Sequence, residues 1–310
     1  MPSLEIPDIV RRKALAEGEP GAAWLTGLDR LTADIASEWG VTVGRTLHGG
    51  TEALVLEART ADDREVILKL GVPGSAAGGH EAQVLMAAKG RGYAELIRYD
   101  APRRALLLER LGGQLEHLGW SADTQIEAIC ATLLEAWRMP PDRAAFINGA
   151  EKAASLAVFI TDLWAQLDRP CSTRAIETAL QFAKRRRHAH DPAIAVLAHG
   201  DAHAANTLLV VGSDPPRFKF VDPDGLVVER AYDLGICMRE WSAELLAGDA
   251  FVLGRRRLAL LSRLTGVALQ PIWEWGFIER VSTGLLVKQL GMEDLAAEML
   301  AVADAWAEAR

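Results

Sequence analysis

Residues 199–206 read HGDAHAAN, straight after the apolar run AIAVLA, and sixteen residues beyond Asn206 the stretch FKFVDPDG ends a strand-like FKFV on Asp222. Three chemistries are open to the octapeptide. His199, Asp201 and His203 alternate, and side chains two apart on an extended segment share a face, as a metal cluster would need. No further His or Cys grouping completes a shell of four ligands, which counts against zinc. A plain polar turn would need nothing downstream. The third chemistry uses both segments: an Asp and an Asn after one strand, then an Asp after the next, are what phosphoryl transfer from a nucleotide requires. One carboxylate takes the hydroxyl proton, while an amide oxygen and a second carboxylate hold magnesium.

Elements must present these groups. From Val41 to Leu70, VTVGRTL, ALVLEART and EVILKL read as strands, with Gly49 and Gly50 in the bend between the first two and the turn ADDR before the third. The third strand carries Lys69 near its end. After GVPGSAAGG, the segment HEAQVLMAAKG has helical spacing at Val84, Leu85 and Ala88 and a natural stop at Gly90. AELIRYD and RRALLLERL are two more strand candidates. Beyond Gly112 and Gly113 helical patterns take over. In EKAASLAVFITDLWAQLDR, Ala153, Leu156, Ala157, Ile160, Leu163, Trp164 and Leu167 paint one buried stripe. TRAIETALQFAKRRRHAH opens with Thr173 as the expected N-cap. Its run Lys184 to Arg187 is expected to be a solvated face. The spacing therefore predicts an α+β chain with a small β-rich N-terminal lobe over 1–111, a hinge at about 109–113 and a larger helical lobe over 112–310.

Bulk properties narrow the partners. A formal net charge of −8 over 310 residues speaks against nucleic acid, whose phosphates need clustered Lys and Arg. Cys130, Cys171 and Cys237 form no CxxC pair, so neither a disulfide framework nor a zinc knuckle is expected. The charged N-terminus is unlike a secretory signal, and no run of about 18 apolar residues suggests a membrane span. A cytoplasmic protein without membrane contact, and a monomer, is the expectation.

HGDxxxxN followed by a strand ending in Asp resembles the catalytic and magnesium segments of the aminoglycoside phosphotransferase family, relatives of the eukaryotic-type protein kinases. The order upstream agrees: Gly49 and Gly50 in a hairpin, Lys69 in VILKL, Glu81 on the next helix, and ERL at 109–111 as a hinge. The resemblance implies a bilobal protein-kinase-like fold using ATP or GTP with Mg2+. It assigns Asp201 as catalytic base, Asn206 and Asp222 as magnesium ligands, Lys69 as the phosphate contact and Glu81 as its ion-pair partner. Gly50 and Thr51 would offer amides to the phosphates, and Glu109 and Leu111 would line the nucleotide at the hinge. His199 would hold the loop, with His203 also a loop-stabilising group. The sequence departs from protein kinases: LHGGTEALV lacks GxGxxG, Pro223 and Asp224 replace Phe-Gly, and no Ala-Pro-Glu follows, which disfavours a protein acceptor.

From Asp222 to Asp249 there are seven acids and only Arg230 and Arg239 as bases, a pocket sign that suits a cationic small-molecule acceptor such as an aminoglycoside. VDPDGLVVERAYDLG and IWEWGFIERVSTGLL are similar to the streptomycin 6-phosphotransferase and hydroxyurea-resistance branch. Asp224, Glu229, Glu240 and Glu244 are then the acceptor candidates, since carboxylates pair bidentately with guanidinium groups, and Trp241 is a candidate stacking face. Two other readings stay open: a metabolic kinase of choline, homoserine, a glycated amine or a sugar, and an inert nucleotide-binding module.

Overall fold

The computed structural model describes residues 4–50, 52–74, 79–139 and 146–309. The chain divides into two compact units. The first comprises Met1–Gly112 with Val210–Gly212 and Lys219–Asp224; the second comprises Gly113–Leu209, Ser213–Phe218 and Gly225–Arg310.

The first unit is built on a five-stranded sheet. Its elements are α1 (Asp8–Ala16), α2 (Glu19–Trp39), β1 (Val41–Leu47), β2 (Ala53–Thr60), β3 (Glu65–Gly71), α3 (His80–Ala88), β4 (Leu96–Asp100) and β5 (Ala105–Glu109). The order is β1-β2-β3-β5-β4, and every pairing is antiparallel. Period-two alternation puts Leu54 and Leu56 of β2 and Val66, Leu68 and Leu70 of β3 into the core. Val10, Ala14, Trp24, Leu28 and Ile35 of α1 and α2 complete that core. These two helices precede every element read from the sequence. They meet closely at Gly21, where a Cβ would stand 1.8 Å from the Ala14 carbonyl oxygen. A glycine inside a helix costs about 0.5–1 kcal/mol, and the close approach of α1 offsets it.

The segment 219–224 belongs to this unit because its backbone is tied to the turn after α3. Ala94 N–H donates to the Phe220 carbonyl and Phe220 N–H to the Gly92 carbonyl, both at 2.9 Å. Tyr93 packs on the Phe220 ring with centroids 5.9 Å apart. β4 accordingly starts at Leu96 rather than at Ala94.

The second unit is mainly helical: α4 (Ala122–Ala136), α5 (Gly149–Gln166), α6 (Thr173–His188), then β6 (Val196–Ala198), β7 (Thr207–Leu209), β8 (Phe218–Phe220) and β9 (Leu226–Val228), of which β8 crosses into the first unit. α7 (Ala231–Arg239), α8 (Ser242–Leu246), α9 (Ala250–Thr265), α10 (Leu269–Gln289) and α11 (Glu293–Glu308) follow. α10 is the axis of this unit, buried all round through Trp275, Phe277, Ile278, Val281 and Leu285, as a helix with neighbours on every side must be. α7 crosses it where both helices carry glycine. A Cβ on Gly276 would lie 2.4 Å from Met238 Cβ, and one on Gly235 2.8 Å from Trp275 Cβ.

Two local expectations are corrected. Ser172, not Thr173, caps α6: its Oγ accepts from Ala175 N–H at 3.1 Å and donates to Asp304. The Lys184–Arg187 run is not wholly solvated. Arg185 and Arg186 pair with Glu274, itself only 1% exposed, at 3.0 and 2.6 Å, because the helical period turns them toward α10. The three cysteines are buried thiols, and burial pushes Cys130 and Cys171 up to about 12, so they are unreactive at neutral pH. No helix of the described residues is long and apolar enough to cross a membrane.

The glycine crossing generates a test. Gly276→Ala should destabilise the protein by about 1–3 kcal/mol through overpacking against Met238. Urea unfolding measures this; an unchanged midpoint would mean that Met238 gives way at no cost.

Candidate active site

In the first unit β3 alternation would send Lys69 away from the core, yet the residue is only 6% exposed. α3 explains it. Glu81, in its first turn and 3% exposed, receives the Lys69 ammonium on both oxygens, at 2.8 and 2.7 Å. Asp222 accepts from the same ammonium. Burial alone would lower the pKa of Lys69; the Asp222 and Glu81 charges reverse this and hold it above the usual range. Burial, helped by the neighbouring Asp222 charge, pushes Glu81 upward against the lowering effect of the Lys69 ammonium. Asp222 reaches Lys69 from a left-handed backbone at φ +56°, a conformation costly for most side chains but tolerated by Asp. Nearly half of its side chain remains exposed.

The other residues expected around a nucleotide in this unit are less uniform. Gly49 adopts φ +118°, which only glycine accepts readily, and a Cβ on Gly50 would press on Val55 at 3.3 Å. Thr51 lies outside the described residues. Glu109 accepts from Glu95 N–H at 2.7 Å and from Lys219, so its carboxylate braces the end of β5. Leu111 is buried.

In the second unit the HGDAHAAN segment follows β6 and is held from both sides. Asp233, fully buried in the first turn of α7, accepts from His199 N–H at 3.1 Å, Gly200 N–H at 2.9 Å and Trp137 Nε1 at 2.8 Å. His199, also fully buried, accepts Asp201 N–H on Nδ1 at 3.1 Å. His203 Nδ1 accepts Ala205 N–H, and its Nε2 meets Asp201 Oδ2 at 3.1 Å. Both histidines thus shape the loop. Among the described residues no three His, Cys, Asp or Glu side chains are grouped to hold a metal, and the zinc alternative has no geometric support. Asn206 Nδ2 donates to the Asp201 carbonyl at 3.1 Å, which fixes the plane of its amide.

Asp201 itself keeps a third of its side chain exposed. Its Oδ1 accepts from Arg239 Nη2 at 2.8 Å. Burial would raise this carboxyl, but the Arg239 guanidinium and then His203 outweigh it and hold Asp201 well below the usual carboxylate range. Arg239 is an addition to the sequence reading, which treated it only as a counter-charge. No local signal marks it, because its partner lies 38 residues earlier in the chain.

The acceptor candidates separate into two groups. Glu240 accepts from Arg239 Nε at 2.9 Å and so stands next to the Asp201 cluster. Glu244 is half-exposed, 3.7 Å from Arg257, and Asp224 is exposed. Glu229, by contrast, is taken up by Trp275 Nε1 at 2.9 Å and Arg186 at 3.3 Å, joining the end of β9 to α10 and α6. Trp241 does not sit at a helical core position. It takes a left-handed backbone at φ +53° before α8, and the Arg257 guanidinium lies 5.2 Å from its ring centre, so one ring face already meets a protein cation.

A lysine paired with a carboxylate on the helix after β3, and an HGD loop leading to Asn206, are the marks of a kinase-like phosphotransferase. The family model for aminoglycoside/hydroxyurea antibiotic resistance kinases matches residues 38–291, and the chain belongs to that family. It is 30% identical over 246 residues to a hydroxyurea phosphotransferase from Kitasatospora aureofaciens, covering 74% of this chain and 67% of that one. It is 25% identical to a streptomycin 6-kinase from Streptomyces griseus, across 98% of both chains. An aminoglycoside phosphotransferase from Streptomyces rimosus, solved with ADP and streptomycin, shares the fold at a TM-score of 0.55, with 15% identity over 84% of this chain and 98% of that one. The protein-kinase-like fold expected from the sequence is the fold observed.

The His203 contact carries a pH signature. Burial would lower this imidazole, but its hydrogen bond to Asp201 and that residue's charge raise it above 6.5. A raised folded value contributes stability that is complete below about pH 6.5, the unfolded value, and is lost as pH rises through the folded one. Unfolding free energy measured from pH 6 upward should therefore fall more steeply in the native protein than in His203→Gln. The imidazole resonances of His203 should titrate above the ordinary histidine value of about 6.5.

Proposed function

We propose that this chain transfers the γ-phosphoryl group of ATP to a hydroxyl of streptomycin or a related aminoglycoside. The observation that carries the reading is the buried Lys69–Glu81 pair, reached by Asp222. A cation so deeply buried needs partners, and the half-exposed Asp222 beside it supplies the outward-facing carboxylate that a magnesium-nucleotide site uses. Residues 1–111 bind the nucleotide in this reading, and 112–310 carry the loop that acts on the acceptor.

The acceptor hydroxyl oxygen bonds to the γ-phosphorus, the bond from that phosphorus to the β,γ-bridging oxygen breaks, ADP leaves, and the hydroxyl proton passes to Asp201. Lys69 contacts the phosphates and Glu81 keeps its ammonium aimed at them. Asn206 and Asp222 fit magnesium by the chemistry of their donors. Both offer oxygen, and since the Asn206 N–H points to the Asp201 carbonyl, its amide oxygen is directed elsewhere. When bound, the metal neutralises phosphate charge and orients the leaving group. Glu240, Glu244 and Asp224 supply the anionic surroundings for the acceptor's guanidinium groups. Support for streptomycin comes from similarity to the Streptomyces griseus enzyme along the whole chain together with the acidic run after Asp222. Hydroxyurea is the second reading, favoured by the 30% identity to the Kitasatospora enzyme.

Purified protein with magnesium and ATP, given streptomycin, hydroxyurea and choline in parallel, tests the choice by the mass of the product. Streptomycin gaining one phosphoryl group supports the proposal; exclusive phosphorylation of either other compound overturns it. Asp201→Asn should lower kcat by about 10²–10⁴-fold with the fold retained.

A further inference from the structure

We infer that Arg239 is a positioning residue for Asp201, held at the end of α7 so that its guanidinium fixes the carboxylate for the acceptor hydroxyl. The inference rests on the phosphotransferase reading and adds a residue to it.

An aspartate side chain turns about two torsions, and a donor at one oxygen still lets the other swing. In the loop, His203 meets Oδ2 from only two residues away, so both groups move with the same backbone. Arg239 meets Oδ1 at 2.8 Å from a different element. The two contacts together define the carboxylate plane, and only the second ties it to the rigid part of the unit.

Arg239 is itself over-determined. Its side chain is 11% exposed; Nε donates to Glu240 at 2.9 Å, and Nη1 lies 3.5 Å from Thr283 Oγ1 and 4.0 Å from Glu279. Glu279 is held in turn by the Tyr232 hydroxyl at 2.5 Å. The helix end that carries Arg239 is fastened by two further buried arginines. Arg280, with no exposure, donates to the Met238 carbonyl at 2.7 Å, the Glu240 carbonyl at 3.3 Å and Ser242 Oγ at 2.7 Å. Arg257 donates to the Glu240 carbonyl at 2.8 Å. The last carbonyls of a helix carry partial negative charge and lack intrahelical partners, so cations there cap the helix and complement its dipole. Two buried arginines committed to backbone oxygens are an expensive way to end a nine-residue helix. What they hold still is the residue between those carbonyls, whose far end touches Asp201.

The consequence is a division of labour. Removing the guanidinium leaves Asp201 charged but free to rotate, which affects the chemical step. It also removes the Arg239 contact from Glu240 and Glu279, which does not weaken attraction for a cationic acceptor. Arg239→Ala should therefore lower kcat for streptomycin about 10- to 100-fold, the cost of a reacting group misplaced by roughly an ångström, with no increase in KM. Millimolar guanidinium chloride should restore kcat saturably in Arg239→Ala. Sodium chloride at equal ionic strength should not, and neither salt should restore Asp201→Asn. A structural defect alone would give a lowered kcat that guanidinium does not repair. If Arg239→Ala fails to fold, Arg239→Lys decides: its ammonium has one point of charge in place of a planar fork, and kcat should fall at unchanged KM. Either variant keeping kcat within twofold of the parent, or a folded Arg239→Ala that guanidinium leaves unrescued, overturns the inference. Parent protein run alongside separates the two readings. No streptomycin turnover in the parent ends the proposed function, whereas parent turnover with an unaffected variant ends the role of Arg239 alone.

Discussion

Asp233 has no exposed surface and is surrounded by three N–H donors, two of them the consecutive amides of His199 and Gly200. A buried carboxylate without donors would cost several kcal/mol, so this contact locks the start of the HGDAHAAN loop to the first turn of α7. Six residues later the same helix ends on Arg239, which reaches the loop again at the Asp201 carboxylate. One short helix therefore sets both the backbone and the side chain of the loop. Its own placement is set by the glycine crossing with α10, where Gly235 and Gly276 let the two helices approach more closely than any side chain would allow.

Both units handle a buried cation in the same way. Lys69 is matched by Glu81 and Asp222, and Arg239 by Asp201, Glu240 and, at longer range, Glu279. In each case the cation meets more than one carboxylate. A neutral pair would satisfy the burial requirement just as well. At Lys69 two carboxylates meet one ammonium, whereas beside Arg239 the buried Arg257 and Arg280, both donating to the Glu240 carbonyl, balance the carboxylates.

The parts of the fold legible in the sequence are those governed by neighbours along the chain. Strands β1 to β3 follow from period-two alternation around Gly49 and Gly50, and α5 from the stripe of Leu156, Ile160 and Leu163. The family was readable because its motifs keep a fixed order. Failures came where a long-range partner decided the outcome. Thr173 and Ser172 are both capping types, and the bond from Ser172 to Asp304 selects between them. The basic run on α6 looked solvated because Glu274 is about ninety residues further on. Glu229 and Trp241 likewise have partners that no stretch of sequence shows, Trp275 and Arg186 for the first and Arg257 for the second.

By itself the sequence determined the kinds of donor and acceptor present, their spacing and the elements that carry them, because propensity, patterning and motif order are local quantities. Only the tertiary structure decided which charge answers which. An ion pair is set by distance in space, and helices separated by many residues, such as α7 and the segment before it, are brought together by packing that no window of sequence contains. For that reason Asp201 was visible as a chemical group from its octapeptide, while the guanidinium that meets its carboxylate was not.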